Sequence, residues 1–184
     1  MNGYRAFFRG NDKMAEKLYI GIDNGTSGTI GAVCGEKSFF IPTPAKKEQS
    51  YTKAKNMISR VDAVTLEDWI VSVMDACGVA PSSVMVVMER PMVNPSMFKT
   101  TMSAIRALEA TLVTLEKLRL PRKYIDSKEW QKDMLPKGTV GTTELKKASM
   151  DIGRRLYPCF DNLIVKHKDA DGLLIAHWAK MCRF

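Results

Sequence analysis

The sequence predicts one α/β domain built on a mixed sheet, in which an antiparallel meander is joined to parallel strands. Three observations lead there. Three β-rich runs near the N-terminus are linked only by short turns. Two later β-rich runs are separated by stretches of helical periodicity, which demands crossover connections and parallel pairing. No internal repeat and no second hydrophobic core interrupts the 184 residues, a length suited to one domain.

Leu18-Tyr19-Ile20-Gly21-Ile22-Asp23 has the β-branched and aromatic content of a strand and ends in the polar turn Asn24-Gly25-Thr26-Ser27-Gly28. Thr29 to Cys34 reads as a second strand, Gly35-Glu36-Lys37 as a tight turn, and Ser38 to Ile41 as a third strand. Pro42 and Pro44 end this pattern. The polar, lysine-rich stretch 43–60 is expected to be a mobile loop. Thr65 is the expected N-cap of a helix from Leu66 to about Cys77, with Asp68 completing a capping box and Gly78 closing the helix. Val84 to Glu89 is nearly all apolar, as in a strand buried on both faces. Met97, Ile105, Leu108, Leu112 and Leu115 mark a helix over 96–118, and residues 122–125 a short strand. Ser127 can cap a helix carrying Trp130. Thr143 starts another helix to about Tyr157, and a last one begins near Asp169 or Asp171. The order is βββ-α-β-α-β-α-α-α, five strands in all.

Residues 1–17 hold only a short apolar cluster and are expected to be a flexible lead rather than a cleaved signal peptide, leaving 18–184 as the domain. No apolar run approaches the ~20 residues of a membrane span. Four scattered cysteines, with no Cys-x-x-Cys pair, give little support for a zinc site and suit a reducing cytoplasm. The net charge is +8: residues 1–89 balance at ten basic and ten acidic side chains, while residues 90–184 carry eighteen against ten. Such an excess suits a polyanion.

Asp23 closes an apolar strand, Glu89 ends another, and Asp169 and Asp171 open the last helix. A carboxylate at a buried strand end loses hydration and needs a cation or metal as compensation. Several of them converging on one point form the kind of site in which two Mg²⁺ ions promote phosphodiester hydrolysis. Each also fits a duller role: Asp23 as a turn cap, Glu89 as a partner of Arg90 or a lysine, Asp171 as a helix N-cap. Their joint order favours metal binding.

The same residues resemble the RuvC-type Holliday-junction resolvases, members of the RNase H-like nucleases and here closest in spacing to phage-type proteins. Ile20 to Gly28 is similar to that family's first strand, Val86-Val87-Met88-Glu89-Arg90-Pro91 to the strand bearing its second ligand, and Asp169 to His177 to its last-helix motif. The resemblance implies an RNase H-like fold. It also implies Asp23, Glu89 and Asp171 as Mg²⁺ ligands, with Mn²⁺ as a substitute. Lys146, with Lys132 and Lys147, would lie near the scissile phosphate, and the implied activity is the symmetric cutting of four-way DNA junctions by a homodimer. This chain departs from the pattern twice. The position three before Asp171 is Lys168, which leaves the fourth ligand open between Asp169 and His167. Where the family carries an aromatic wedge soon after its Glu, Met92 and Val93 stand here, with Phe98 the nearest aromatic. Competing readings are a flap- or hybrid-cutting relative, an actin-like kinase sharing the first hairpin motif, and a non-catalytic nucleic-acid-binding relative.

Overall fold

The computed structural model describes residues 16–184 except 51, 52 and 54, so the expected lead falls outside the described residues apart from Glu16 and Lys17. Its strands are β1 (Leu18–Ile22), β2 (Thr29–Cys34), β3 (Lys37–Pro42), β4 (Ala45–Gln49), β5 (Met57–Val61), β6 (Val84–Glu89) and β7 (Arg122–Ile125). Its helices are α1 (Ala63–Cys77), α2 (Phe98–Lys117), α3 (Ser127–Met134), α4 (Thr142–Leu156), α5 (Asp161–His167) and α6 (Asp171–Cys182). The main sheet has five strands in the order β3-β2-β1-β6-β7. The β1, β2 and β3 neighbours pair antiparallel, whereas β6 runs parallel to both β1 and β7. This is the mixed, RNase H-like sheet that the sequence predicts.

Alternation along β1 divides the core. Leu18, Ile20 and Ile22 pack with Leu66, Ile70 and Leu115 of α1 and α2. Tyr19, with Val87 of β6, packs with Trp130, Ile164 and Leu173 on the other face. Both faces are therefore covered, which explains why β1 and β2 are buried throughout. Among the described residues no helix is long and apolar enough to cross a membrane.

The structure corrects several expectations. Stretch 43–60 is not all loop: residues 45–49 and 57–61 form a separate antiparallel pair, β4–β5, in register from Ala45↔Val61 to Gln49↔Met57. Its lysines and glutamine have weak strand preference, so only tertiary support reveals the strands. Val61, at the end of β5 and buried in the core with Leu66 and Ala107, supplies that support. Helix α1 starts three residues earlier than expected, capped by Asp62, whose carboxylate accepts from the Thr65 backbone N–H at 3.4 Å. Asp126, one residue before Ser127, caps α3 in a reciprocal box with Glu129. Helix α5 has no counterpart in the sequence reading, because seven residues offer too little periodicity to register.

Helix α6 lies so close to the sheet that side chains have no room between them. A side-chain carbon on Gly21 would overlap Gly172 O and Ala176 N, one on Gly31 would overlap the Leu173 backbone, and one on Gly172 would overlap Thr29 O. Only glycine permits this approach. Gly25 sits in the neighbouring turn, where the nearest atom to an added carbon is 3.9 Å away. Gly31→Ala should therefore lower stability by about 1–3 kcal/mol or more, which is a fall of several degrees in Tm. Gly25→Ala should leave thermal unfolding nearly unchanged, and equal melting curves for the two variants would contradict this account of the packing.

Candidate metal centre

Because β1 and β6 are parallel and paired in register Ile22↔Met88, their C-terminal ends open on the same edge of the sheet. Asp23 follows β1 there, and Glu89 is the last residue of β6. The close approach of α6 brings its N-terminal turn to the same edge. Oxygen atoms of Asp23, Asp169 and Asp171 consequently lie within 4.8 Å of one another. Among the described residues no other group of three His, Cys, Asp or Glu side chains converges this closely.

Local hydrogen bonds fix Asp169, Asp171 and Glu89. Asp169 is buried; its Oδ1 accepts from Thr29 Oγ1 at 2.8 Å and from the Asp171 backbone N–H at 2.7 Å. Thr29 Oγ1 in turn accepts from the Gly172 N–H at 3.1 Å, tying β2 to the first turn of α6. Asp171 is the first residue of α6 and accepts from Ser149 Oγ of α4. Glu89 Oε2 accepts from the indole Nε1 of fully buried Trp130 at 3.1 Å. Two of the duller roles are not what the geometry displays: Arg90 pairs with Asp126 at 2.8 Å rather than with Glu89, and Ala170, not Asp171, occupies the N-cap position.

Burial and crowding leave the site short of positive charge. Asp23 is held well above the usual carboxylate range, first by burial and then by Asp169, Asp171 and Glu89. Asp171 is pushed up to about 7 by burial and by Asp169, with opposing help from the Ser149 hydroxyl and the Lys146 ammonium. Glu89 is also raised, chiefly by burial, although the Trp130 N–H works the other way. Oxygen donors clustered with so little compensation are a donor set suited to a hard divalent cation.

The other residues singled out in the sequence separate into groups. Lys146 is near enough to Asp171 to favour its ionised form. Lys147, one residue on, instead lines a cleft with Glu144, Asp151 and Arg154. Lys132 lines a neighbouring cleft with Lys128 and Lys137, on the side of α3 opposite Trp130. His167 ends α5 and is not in the acidic group, where Asp169 stands instead. Met92 and Phe98 are 79% and 70% exposed, in and just after the loop that follows Glu89. Sequence reasoning missed Trp130, Ser149 and Thr29 as supports of the acids. The helical phase held part of that signal, since Lys146, Ser149 and Gly153 share the α4 face turned to α6, and the added carbon at Gly153 would meet Ala170 Cβ.

No known family profile matches the sequence, and no curated protein matches it. Solved structures do match. The chain is similar to Thermus thermophilus RuvC in complex with a Holliday junction substrate, at 14% identity and a TM-score of 0.54, over 90% of this chain and 96% of that one. A second structure of Thermus thermophilus RuvC aligns at 14% identity and a TM-score of 0.47, over 90% and 94% of the two chains. The likeness at this identity establishes a shared fold.

Asp23 and Asp171 hold a proton more tightly folded than unfolded. Their stabilising contribution to the metal-free protein should therefore be fully present below about pH 4, the unfolded carboxylate range, and be lost as pH rises through the folded value of about 7 at Asp171. A divalent ion must displace those protons, so Mg²⁺ should raise Tm little near pH 5 and more near pH 8. Calorimetry across that range, with and without Mg²⁺, checks it; a Mg²⁺ effect that shrinks as pH rises would be the wrong sign.

Proposed function

We propose that this protein is a Mg²⁺-dependent endonuclease that resolves four-way or related branched DNA junctions by phosphodiester hydrolysis. The observation that carries the reading is the convergence of Asp23, Asp169 and Asp171, with Glu89 beside them, at the carboxyl edge of a sheet shared with RuvC. On this reading Asp23, Glu89, Asp169 and Asp171 hold the metal, with Mn²⁺ able to substitute, and His167 is set aside as a ligand. Divalent ions held there would supply Lewis-acid stabilisation of the phosphate and a more acidic attacking water.

The chain's own residues do the rest. Trp130 and Ser149 orient Glu89 and Asp171, and Thr29 holds Asp169, so the donor set is preorganised before substrate arrives. Lys146, beside Asp171, offsets charge that develops on the phosphate. Lys132 and Lys147 line clefts in the basic C-terminal half and would contact backbone phosphates. Met92 and Phe98, both solvent-facing, would wedge between base pairs at the branch point. Paired nicks on opposite strands need two active sites related by a two-fold axis, hence a homodimer. The exposed apolar residues Met97 and Ile105, 50% and 40% accessible, support a dimer face at the start of α2.

Asp23→Asn and Glu89→Gln should each abolish Mg²⁺-dependent nicking of a synthetic four-way junction while leaving junction binding without divalent ion largely intact. Nicking that persists in either variant would refute the site. Trp130→Phe keeps the buried ring but removes the N–H, and should raise the Mg²⁺ concentration for half-maximal cleavage by about 10- to 100-fold. Flap, duplex and RNA–DNA hybrid substrates run alongside test the substrate class, and preferential cutting of flaps by a monomer would overturn the resolvase reading.

A further inference from the structure

The hairpin β4–β5 stands outside the main sheet, and its charge is far from the chain's average. Residues 45–61 hold five basic side chains and one acid, a net +4 of the chain's +8. That one acid, Glu48, is already taken: Arg60 Nη1 lies 2.6 Å from it and Lys46 Nζ 3.4 Å. Among the described residues Lys47, Lys53 and Lys55 form no ion pair, and all three are exposed. Three exposed lysines within residues 47–55, none offset by an acid among the described residues, favour an anionic partner.

The hairpin is also fixed to the rim of the acidic site. Thr43 N–H donates to Gly28 O at 2.9 Å, and Gly28 abuts Asp23 so closely that an added carbon would meet its Oδ2 at 2.8 Å. Asp62 N–H closes the base of the hairpin on Pro44 O at 2.8 Å, and Val61 seats the end of β5 in the core. Between the hairpin and the start of α2 runs an open groove of about 500 Å³, to which Asn56, Lys99, Ser103 and Phe98 contribute. The groove joins β5 to the start of α2, where Lys99 and Arg106 add basic side chains to its wall.

We infer that β4–β5 is a basic arm that grips the phosphate backbone of one duplex flanking the cleaved site, with Lys47, Lys53 and Lys55 as its contacts. The inference rests on the endonuclease reading above, because it takes DNA as the polyanion. Of these lysines Lys47 lies on the paired strand β4, and Lys53 and Lys55 fall in the 50–56 connection between the two strands.

The test compares full-length protein with the triple variant Lys47→Gln/Lys53→Gln/Lys55→Gln and with its Lys→Arg counterpart, binding a four-way junction over a range of salt. Each lost phosphate contact lowers the slope of log K against log salt by about 0.9. The Gln triple should therefore lose about 2.7 from the slope and bind at least about tenfold more weakly at moderate salt, whereas the Arg triple should match wild type. Single Gln variants, each losing about 0.9, serve if the triple does not fold. Wild-type binding and cutting with an unchanged Gln triple would overturn the arm and leave the endonuclease reading standing. A wild-type protein that neither binds nor cuts branched DNA would remove both.

Discussion

The contact on which the rest depends is the backbone-to-backbone seating of α6 over β1 and β2. A helix normally stands ~10 Å from a sheet because side chains fill the space between them. Here glycines on both sides remove that spacer, at Gly21 and Gly31 of the strands and Gly172 of the helix. The helix gains little hydrogen bonding from this, apart from the Gly172 N–H to Thr29 Oγ1. What it gains is position. Asp169 and Asp171 sit one side chain's reach from Asp23, which a helix at ordinary spacing could not achieve. Stability and site geometry are therefore one property of this interface.

That seating forces like charges together, and the fold does not neutralise them. Burial and mutual repulsion both raise Asp23, and Lys146 and Ser149 only partly offset the same effects at Asp171. A fold selected for stability alone would place an arginine among these acids, since leaving buried carboxylates uncompensated is costly. Instead, the available donors are spent on orientation: Thr29, Ser149 and Trp130 each hold one oxygen and leave others facing the cluster. A half-compensated, well-oriented acidic site of this kind could take its missing charge from a bound metal ion.

Much of this is legible in the residues. The main-sheet strands announce themselves because β1, β2 and β6 are buried on both faces and therefore read as continuous apolar runs. Asp23 and Glu89 are legible for the same reason, as polar residues that break such runs. What the sequence conceals depends on tertiary support. Lysine-rich β4 has no intrinsic strand signal, and only its ladder to β5, whose Val61 is buried in the core, makes it one. Trp130 reads as an ordinary core aromatic until its indole N–H is found on Glu89. The choice between Asp169 and His167 turns on where α5 stops: Lys168, in a left-handed conformation, reverses the chain so that Asp169 enters the cluster while His167 stays behind on α5.

The charge distribution also changes meaning once the chain is folded. Counted along the sequence, residues 1–89 are neutral and only the second half is basic. In three dimensions the first half is unevenly divided, because the hairpin takes +4 and leaves the remainder at −4, Asp23 and Glu89 included. Positive charge therefore flanks the acidic edge from two directions, from the hairpin rooted at Gly28 and from α4 with Lys146. On the reading proposed above, a polyanion drawn to either flank would meet the acids between them, and a divalent ion held there would weaken that repulsion, so each would supply charge that the other lacks.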